Sequence, residues 1–306
     1  MNFFVTILGS GAALPTGRRR CSAQVVNING FKMLLDCAEG TQDRIRQHHL
    51  KLQSLGTILI SHLHGDHFFG LPGLLSTMHL CGRTEPVTVV APKGARQVIE
   101  TTFDLTGNHI GYPINFVEMD FAEGLHRVFE SPRCTVDAFP ILHSVPTYGF
   151  RITEVPRSGE RRVESGERRV ENGEWRAESG ERRAENKLAQ SGALHSPLST
   201  LRSPRVYTYC CDTEYNESPV PYMQGADLLC LECTFADDLA DLARQRQHLT
   251  AGQAGQLAAL AQPKQLLLTH ISARYHEPDL LLQQATAHFP HTLLASDGLV
   301  VPIEKG

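Results

Sequence analysis

The sequence predicts an α/β protein of mixed β-sheets with helices packed outside, and three observations carry that reading. Short apolar runs of strand length recur along the chain. Helical stretches lie between only some of them, whereas a purely parallel doubly wound sheet needs a helix at every step. After about residue 205 the pattern repeats in kind.

In chain order, strands are expected at Phe3 to Leu8, Ala23 to Ile28, Lys32 to Asp36, Thr57 to Ser61, Val87 to Ala91, Ile114 to Glu118, Arg133 to Phe139 and Tyr148 to Thr153. Helices are expected from Gly40 to about Leu50, from Gly70 to His79 and from Gly94 to Thr106. The second half offers strands at Val206 to Cys211, Asp227 to Glu232 and Gln265 to Thr269, with helices at Ala251 to Ala261 and Asp279 to His288.

Between the halves stands a segment of different character. Residues 158–185 are four heptads, SGERRVE, SGERRVE, NGEWRAE and SGERRAE, followed by a polar run to about Pro204. Each heptad holds one small apolar residue (Val163, Val170, Ala177, Ala184) and a glycine, too little for a coiled-coil seam. With eight Glu and seven Arg it reads as a solvated polyampholyte inserted in a loop.

Bulk composition narrows the function. The chain has 306 residues, a formal net charge of −4 and 41% hydrophobic residues, an ordinary globular balance. A nucleic-acid protein acting through bulk positive charge is excluded; any such contact needs a local basic patch. There is no apolar run of about 18 residues to cross a bilayer. The opening MNFFVTILGSGAALP reads as a strand and turn, not a secretion signal, so a cytoplasmic location is expected. Eight scattered cysteines suggest no disulfide framework, and Cys230 and Cys233 read as small core residues on a buried strand.

The chemistry concentrates at His62-Leu63-His64-Gly65-Asp66-His67, directly after the apolar run Thr57 to Ser61. Three imidazoles and a carboxylate within six residues repel or waste one another unless a cation draws them together, and imidazole nitrogen with carboxylate oxygen is a zinc donor set. A solvated His-rich loop is the bland alternative, but the apolar Phe68 to Leu75 that follows should pin the loop to the core. One loop cannot fill two coordination shells. Later strand tips offer His143, Asp212 and His270, each unremarkable alone, since a His closing a strand is more often a hydrogen-bonded core residue. Gly9-x-Gly11 fails as a dinucleotide fingerprint because Leu14 occupies the third glycine position. His48, His49, His109, His195 and His288 show no ligand spacing.

In that order, HLHGDH, a His after a strand, Asp212-Thr213 and Leu268-Thr269-His270-Ile271-Ser272-Ala273-Arg274-Tyr275, the chain resembles the metallo-β-lactamase superfamily. Asp36-Cys37-Ala38-Glu39-Gly40-Thr41-Gln42, Gly70-Leu71-Pro72-Gly73 and Glu232-Cys233-Thr234-Phe235 make it similar to the ribonuclease Z branch, over about 1–153 and 205–303. The resemblance implies an αβ/βα sandwich, a single domain over 1–306, with 158–204 replacing the family's tRNA-binding arm. It implies two zinc ions, one held by His62, His64 and His143, the other by Asp66, His67 and His270, bridged by Asp212. Asp66 would orient the attacking hydroxide, His248 would protonate the leaving oxygen with Glu232 as its partner, and Asp36 would support the ligands without being one. A polar residue at a helix start is the plainer account of His248.

The implied activity is cleavage of precursor tRNA at its 3′ end to leave a 3′-hydroxyl, by a cytoplasmic homodimer with no membrane association. The alternatives are a hydrolase of the same branch acting on small phosphodiesters or on esters of arylsulfate or lactone type, and a non-catalytic RNA-binding or dimer partner. The departures bear on the substrate: no Gly-Pro pair stands between His143 and Asp212, and Leu231 and Cys211 replace the family's usual His and Gly.

Overall fold

Alternation in the strands decides the layering of the computed structural model, which is described for residues 2–156 and 203–304. In the first half, β1 (Phe3–Gly9), the short β2 (Gly11–Ala12), β3 (Ala23–Ile28) and β4 (Phe31–Leu35) are followed by α1 (Thr41–Gln47) and β5 (Leu55–Leu59). Then come α2 (Gly65–Phe68), α3 (Leu71–Leu80), β6 (Val87–Pro92), α4 (Ala95–Thr106) and β7 (Ile114–Met119). Three strands, β8 (His126–Glu130), β9 (Cys134–Ile141) and β10 (Thr147–Glu154), precede the insertion. Beyond it run β11 (Val206–Cys210), α5 (Val220–Met223), β12 (Leu228–Glu232), α6 (Ala240–Arg246) and α7 (Ala251–Ala261). The chain closes with β13 (Gln265–Thr269), β14 (Ile271–Ser272), α8 (Asp279–Thr286), β15 (Thr292–Leu294) and β16 (Val300–Pro302).

Two seven-stranded sheets result, in the orders β16-β1-β3-β4-β5-β6-β7 and β15-β13-β12-β11-β10-β9-β8. Each is mixed: β1, β3 and β4 pair antiparallel and β4 to β7 parallel, while β8 to β11 pair antiparallel and β11, β12, β13 and β15 parallel. The inward sides of both sheets form one core, in which Val5, Ile7, Val26, Met33 and Leu35 meet Val136, Phe150, Tyr207, Cys230 and Leu267. The outward residues of the first sheet, such as Leu34, Ile58 and Val89, pack under Ile45, Leu74, Met78 and Ile99 of α1, α3 and α4. Leu229, Leu231 and Leu266 do the same under Leu257 of α7 and Leu281 of α8. Period-two strands with two apolar faces thus end up covered on both sides, giving an αβ/βα sandwich.

Most expected elements stand within a few residues of their places. β8, β15 and β16 were not anticipated, nor were the short β2, β14, α2, α5 and α6. β15 and β16 have three residues each, too short to show alternation, and β8 is an edge strand with its side chains mostly exposed. Cys230 and Cys233 are fully buried, in different core clusters. Leu231 lies on the outward face of β12, in the apolar layer it shares with α7.

The feet of the insertion are neighbours in the second sheet, where Thr153 of β10 opposes Val206 of β11. Arg205 clamps them, its guanidinium donating two bonds to the buried Glu154 carboxylate at 2.6 and 2.8 Å and one to the Ile303 carbonyl at 3.0 Å. The heptads lie outside the described residues. Among those described, no helix is long and apolar enough to cross a membrane.

Candidate metal centre

The C-terminal ends of β5, β11 and β13 lie in the parallel parts of the two sheets, and open α/β sheets collect ligand sites at such ends. After β5 the chain bends at Ser61, and His64 itself is extended (φ −63°, ψ 149°). The rings of His62 and His64 lie 4.7 Å apart, in one donor set. At Gly65 the chain turns into the single helical turn α2, sending Asp66 and His67 another way. A side chain at 65 would strike the Phe69 ring at 2.7 Å. The loop is tied down by Cys37 N donating to the His67 carbonyl (2.7 Å) and Gly70 N to the Cys37 carbonyl (2.9 Å). Gly70 permits this approach, because a Cβ there would sit 1.9 Å from the Ala38 carbonyl oxygen.

The structure brings all seven expected ligands into two adjoining sets that share Asp212: His62, His64, His143 and Asp212, and Asp66, His67, Asp212 and His270. In the first, His143 Nε2 faces His64 Nδ1 at 3.3 Å, and Asp212 Oδ2 lies 3.7 Å from His62 Nε2 and 4.0 Å from His143 Nε2. In the second, His67 Nε2 and His270 Nε2 are 3.2 Å apart. Asp66 Oδ2 stands 3.5 Å from His67 and 3.4 Å from His270, and Asp212 Oδ1 3.3 Å from His270. These are separations of donors aimed at a common point. His62 Nε2, fully buried, has no hydrogen-bond partner among the described residues, an expense that a bound cation would remove.

The opposite ring nitrogens are held from behind, which orients the rings. His62 Nδ1 meets Ser61 Oγ at 3.0 Å and His143 Nδ1 meets the Gln247 carbonyl at 3.0 Å. His67 Nδ1 meets Asp36 Oδ2 at 2.9 Å, and His270 Nδ1 meets Thr234 Oγ1 at 2.9 Å. Asp36 and His270 both have positive φ, 53° and 55°, strain of the kind retained at functional sites. Asp66 Oδ2 accepts from Ala13 N at 2.8 Å.

Charge follows the same division. Burial, with the neighbouring His67, holds His62 well below the usual imidazole range. Burial works against charge on His67 too, but Cys211 and the Asp212 and Asp36 carboxylates reverse it and hold that ring well above the range. Burial opposes charge on Asp66, yet hydrogen bonds from His270 and His67 keep its carboxyl well below the ordinary carboxylate value.

His248 stands at the start of the α7 region with its ring 5.3 Å from that of His143 and 5.4 Å from that of His270. Its Nδ1 is 2.9 Å from Glu232 Oε1. Glu232 is fully buried and also accepts from Thr213 N (2.8 Å) and Thr234 Oγ1 (2.6 Å). Burial would lower the His248 pKa, but the Glu232 carboxylate outweighs it and pushes the ring up to about 9. Asp36, with Ser61 and Tyr209 also donating to it, lies behind His67.

Ser61, Thr234, Tyr209, Cys211 and the Gln247 carbonyl were not singled out for this role by the sequence. Three of these side chains had a signal: Ser61 adjoins His62, Cys211 adjoins Asp212 and Thr234 stands two residues after Glu232. His48, His49, His109 and His288 belong to no ligand cluster among the described residues, and His195 lies outside them.

A family profile described as Anti-Pycsar protein Apyc1 matches residues 3–109. Ribonuclease Z of Bacteroides fragilis is 36% identical over 304 residues, covering 98% of this chain and 99% of its own. The crystal structure of the short form of human tRNase Z has a TM-score of 0.71 at 28% identity, over 98% of this chain and 99% of that one. The metallo-β-lactamase fold protein YhfI of Bacillus subtilis, 17% identical, has a TM-score of 0.70 over 99% of this chain and 100% of its own.

Proposed function

The chain belongs to the ribonuclease Z family, and on that premise we propose that it is a metal-dependent endoribonuclease that cuts precursor tRNA at its 3′ end, leaving a 3′-hydroxyl. The fold is the metallo-β-lactamase sandwich. The observation that carries the reading is the convergence of seven His and Asp side chains into two donor sets sharing one carboxylate.

Zinc fits these donors. Four ligands about 2.0–2.1 Å from a tetrahedral ion are about 3.3–3.4 Å from one another, close to the 3.2–3.5 Å separations of the second set. His62, His64 and His143 would hold one ion, Asp66, His67 and His270 the other, and Asp212 both. Bound there, two such ions would lower the pKa of a water toward neutrality and offset the charge of a phosphodiester.

The chain's own residues supply the rest. Asp66, anionic and held by Ala13 N–H, orients the attacking oxygen toward phosphorus. As the new P–O bond forms, the P–O3′ bond breaks and His248 gives its proton to O3′. Glu232 grips Nδ1, which leaves Nε2 as the donor and keeps the ring protonated at neutral pH. The phosphate departs on the trailer.

The same reading makes the protein a cytoplasmic homodimer with two zinc ions per chain, and residues 158–204 an insertion in the arm position of a single domain. Purified protein assayed on precursor tRNA and on bis-p-nitrophenyl phosphate, with elemental analysis, tests it. The expected result is tRNA trimmed to a 3′-hydroxyl and about two zinc per chain. Turnover of the small diester with precursor tRNA left intact would overturn the substrate assignment.

A further inference from the structure

Beneath the donor sets, two residues that take no part in the proposed reaction connect one sheet to the other. Asp36 follows β4 of the first sheet, whereas Tyr209 belongs to β11 of the second. The Tyr209 hydroxyl lies 2.7 Å from Asp36 Oδ2 and 3.1 Å from Cys211 Sγ. Asp36 Oδ2 is also the partner of His67 Nδ1, and the Cys211 thiol donates to Asp212 Oδ1 at 3.2 Å. Cys211 Sγ itself lies 3.5 Å from His67 Nδ1. A line of contacts therefore runs from His67 through Asp36, Tyr209 and Cys211 to Asp212, whose carboxylate stands 3.5 Å from His67 Nε2; with the phenol proton on Asp36 and the thiol proton on Asp212, the 3.1 Å step between Tyr209 and Cys211 is a packing contact.

Every member is buried. Burying a phenol oxygen and a thiol costs free energy unless both are partnered, and phenylalanine with alanine would fill this apolar layer without that requirement. What the polar pair adds is direction. His67 comes from the first sheet and Asp212 from the second. Backbone bonds join the sheets beside His62, where Tyr148 N donates to the Ser61 carbonyl, and beside His270, where β14 pairs with β2, but among the described residues none joins the segments that carry His67 and Asp212.

We propose that Tyr209 and Cys211 are positioning residues of the metal centre, holding His67 and Asp212 in register across the sheets and thereby setting the geometry of the Asp66, His67, Asp212 and His270 donor set. The inference rests on the two-ion reading above. Partners one bond behind a metal ligand, as Cys211 is behind Asp212, are worth about 10–100-fold in affinity, and Tyr209 acts one contact further back through Asp36 and Cys211, so the effect should be measurable in binding without reference to catalysis.

The test is zinc titration of metal-free wild type, Tyr209→Phe, Cys211→Ala and Cys211→Ser against a chromophoric chelator, with the Tm of each metal-free protein. Expected for Tyr209→Phe and Cys211→Ala is a loss of tenfold or more in one of the two zinc affinities, the other staying within threefold and the metal-free Tm changing little. Cys211→Ser, which keeps a donor, should recover most of the loss. Two affinities within threefold of wild type in both variants would overturn this inference alone, as would a joint fall of both affinities in step with Tm, the mark of lost packing. A wild type that takes up no zinc would overturn the two-ion reading and this inference with it.

Discussion

The two donor sets share Asp212 but are built from different chemistry. The set of His62, His64 and His143 consists otherwise of imidazoles, and the partners named behind two of them are neutral, the Ser61 hydroxyl and the Gln247 carbonyl. The other set includes the Asp66 carboxylate. Behind its rings stand Asp36 directly, and Glu232 through the Thr234 hydroxyl. One set is therefore poor in charge, with His62 held neutral by burial, and the other is rich in it. The difference teaches that the second set should depend more on its supporting residues and on pH, since carboxylates behind the rings raise both donor basicity and proton affinity.

Asp212→Ala should erase the comparison, because it removes the one ligand common to both sets. At least one of about two zinc ions should be lost and hydrolysis of precursor tRNA should fall by more than about 10⁴-fold, a loss larger than that expected for a proton donor; elemental analysis and single-turnover kinetics measure it. One metal in both wild type and variant would refute the two-ion arrangement. Separate His62→Ala and His67→Ala variants sharpen it: each should keep about one ion, and the ion retained by His62→Ala should be the one released first on acidification.

His248→Ala should leave both donor sets intact. We expect full zinc content with kcat on precursor tRNA lower by about 10²–10⁴-fold, and a much smaller change for a p-nitrophenyl ester, whose leaving group needs no proton. Equal losses on the two substrates would assign His248 a structural role.

Glu232→Gln probes the acid by pH. On the proposed mechanism the active form is the imidazolium, and Glu232 raises its pKa to about 9, so wild-type activity should be lost as pH rises through that region. Removing the carboxylate lowers the pKa, and the alkaline limb of kcat should move to lower pH. A limb that stays in place means another group titrates there.

The smallest effect is expected from deleting residues 158–185, which removes eight Glu and seven Arg and changes the net charge by +1. Arg and Glu within a few residues of one another leave no clustered cation for phosphate. We expect kcat/KM on precursor tRNA to change by less than about threefold, under 1 kcal/mol. A tenfold loss confined to tRNA, with a shallower salt dependence, would show that the repeat binds the substrate.

Much of the site was legible because its residues are dense or sit where strands end. His62 to His67 announce a cation within six residues, and His143, Asp212, His248 and His270 could be placed from strand ends and from the family's order of motifs. The supporting groups were not legible. A tyrosine in Val206 to Cys211 reads as an ordinary core residue, and the Gln247 carbonyl and Ala13 N–H have no side-chain signature. β15 and β16 escaped for a related reason, since a three-residue strand exists only by pairing with a partner already in place.

The sequence by itself determined the mixed sheets with helices outside, through short apolar runs of which only some are separated by helices, and the chemistry of the donors, through residue type; the two-layer sandwich was what the family resemblance implied. The tertiary structure alone decided which histidines share a set, which nitrogen each presents, and that Asp212 belongs to both. Those are distances between residues up to 204 positions apart in the chain, from Asp66 to His270. They are settled by how one sheet packs on the other, and local pattern holds no information about separations that only side-chain packing across the interface creates.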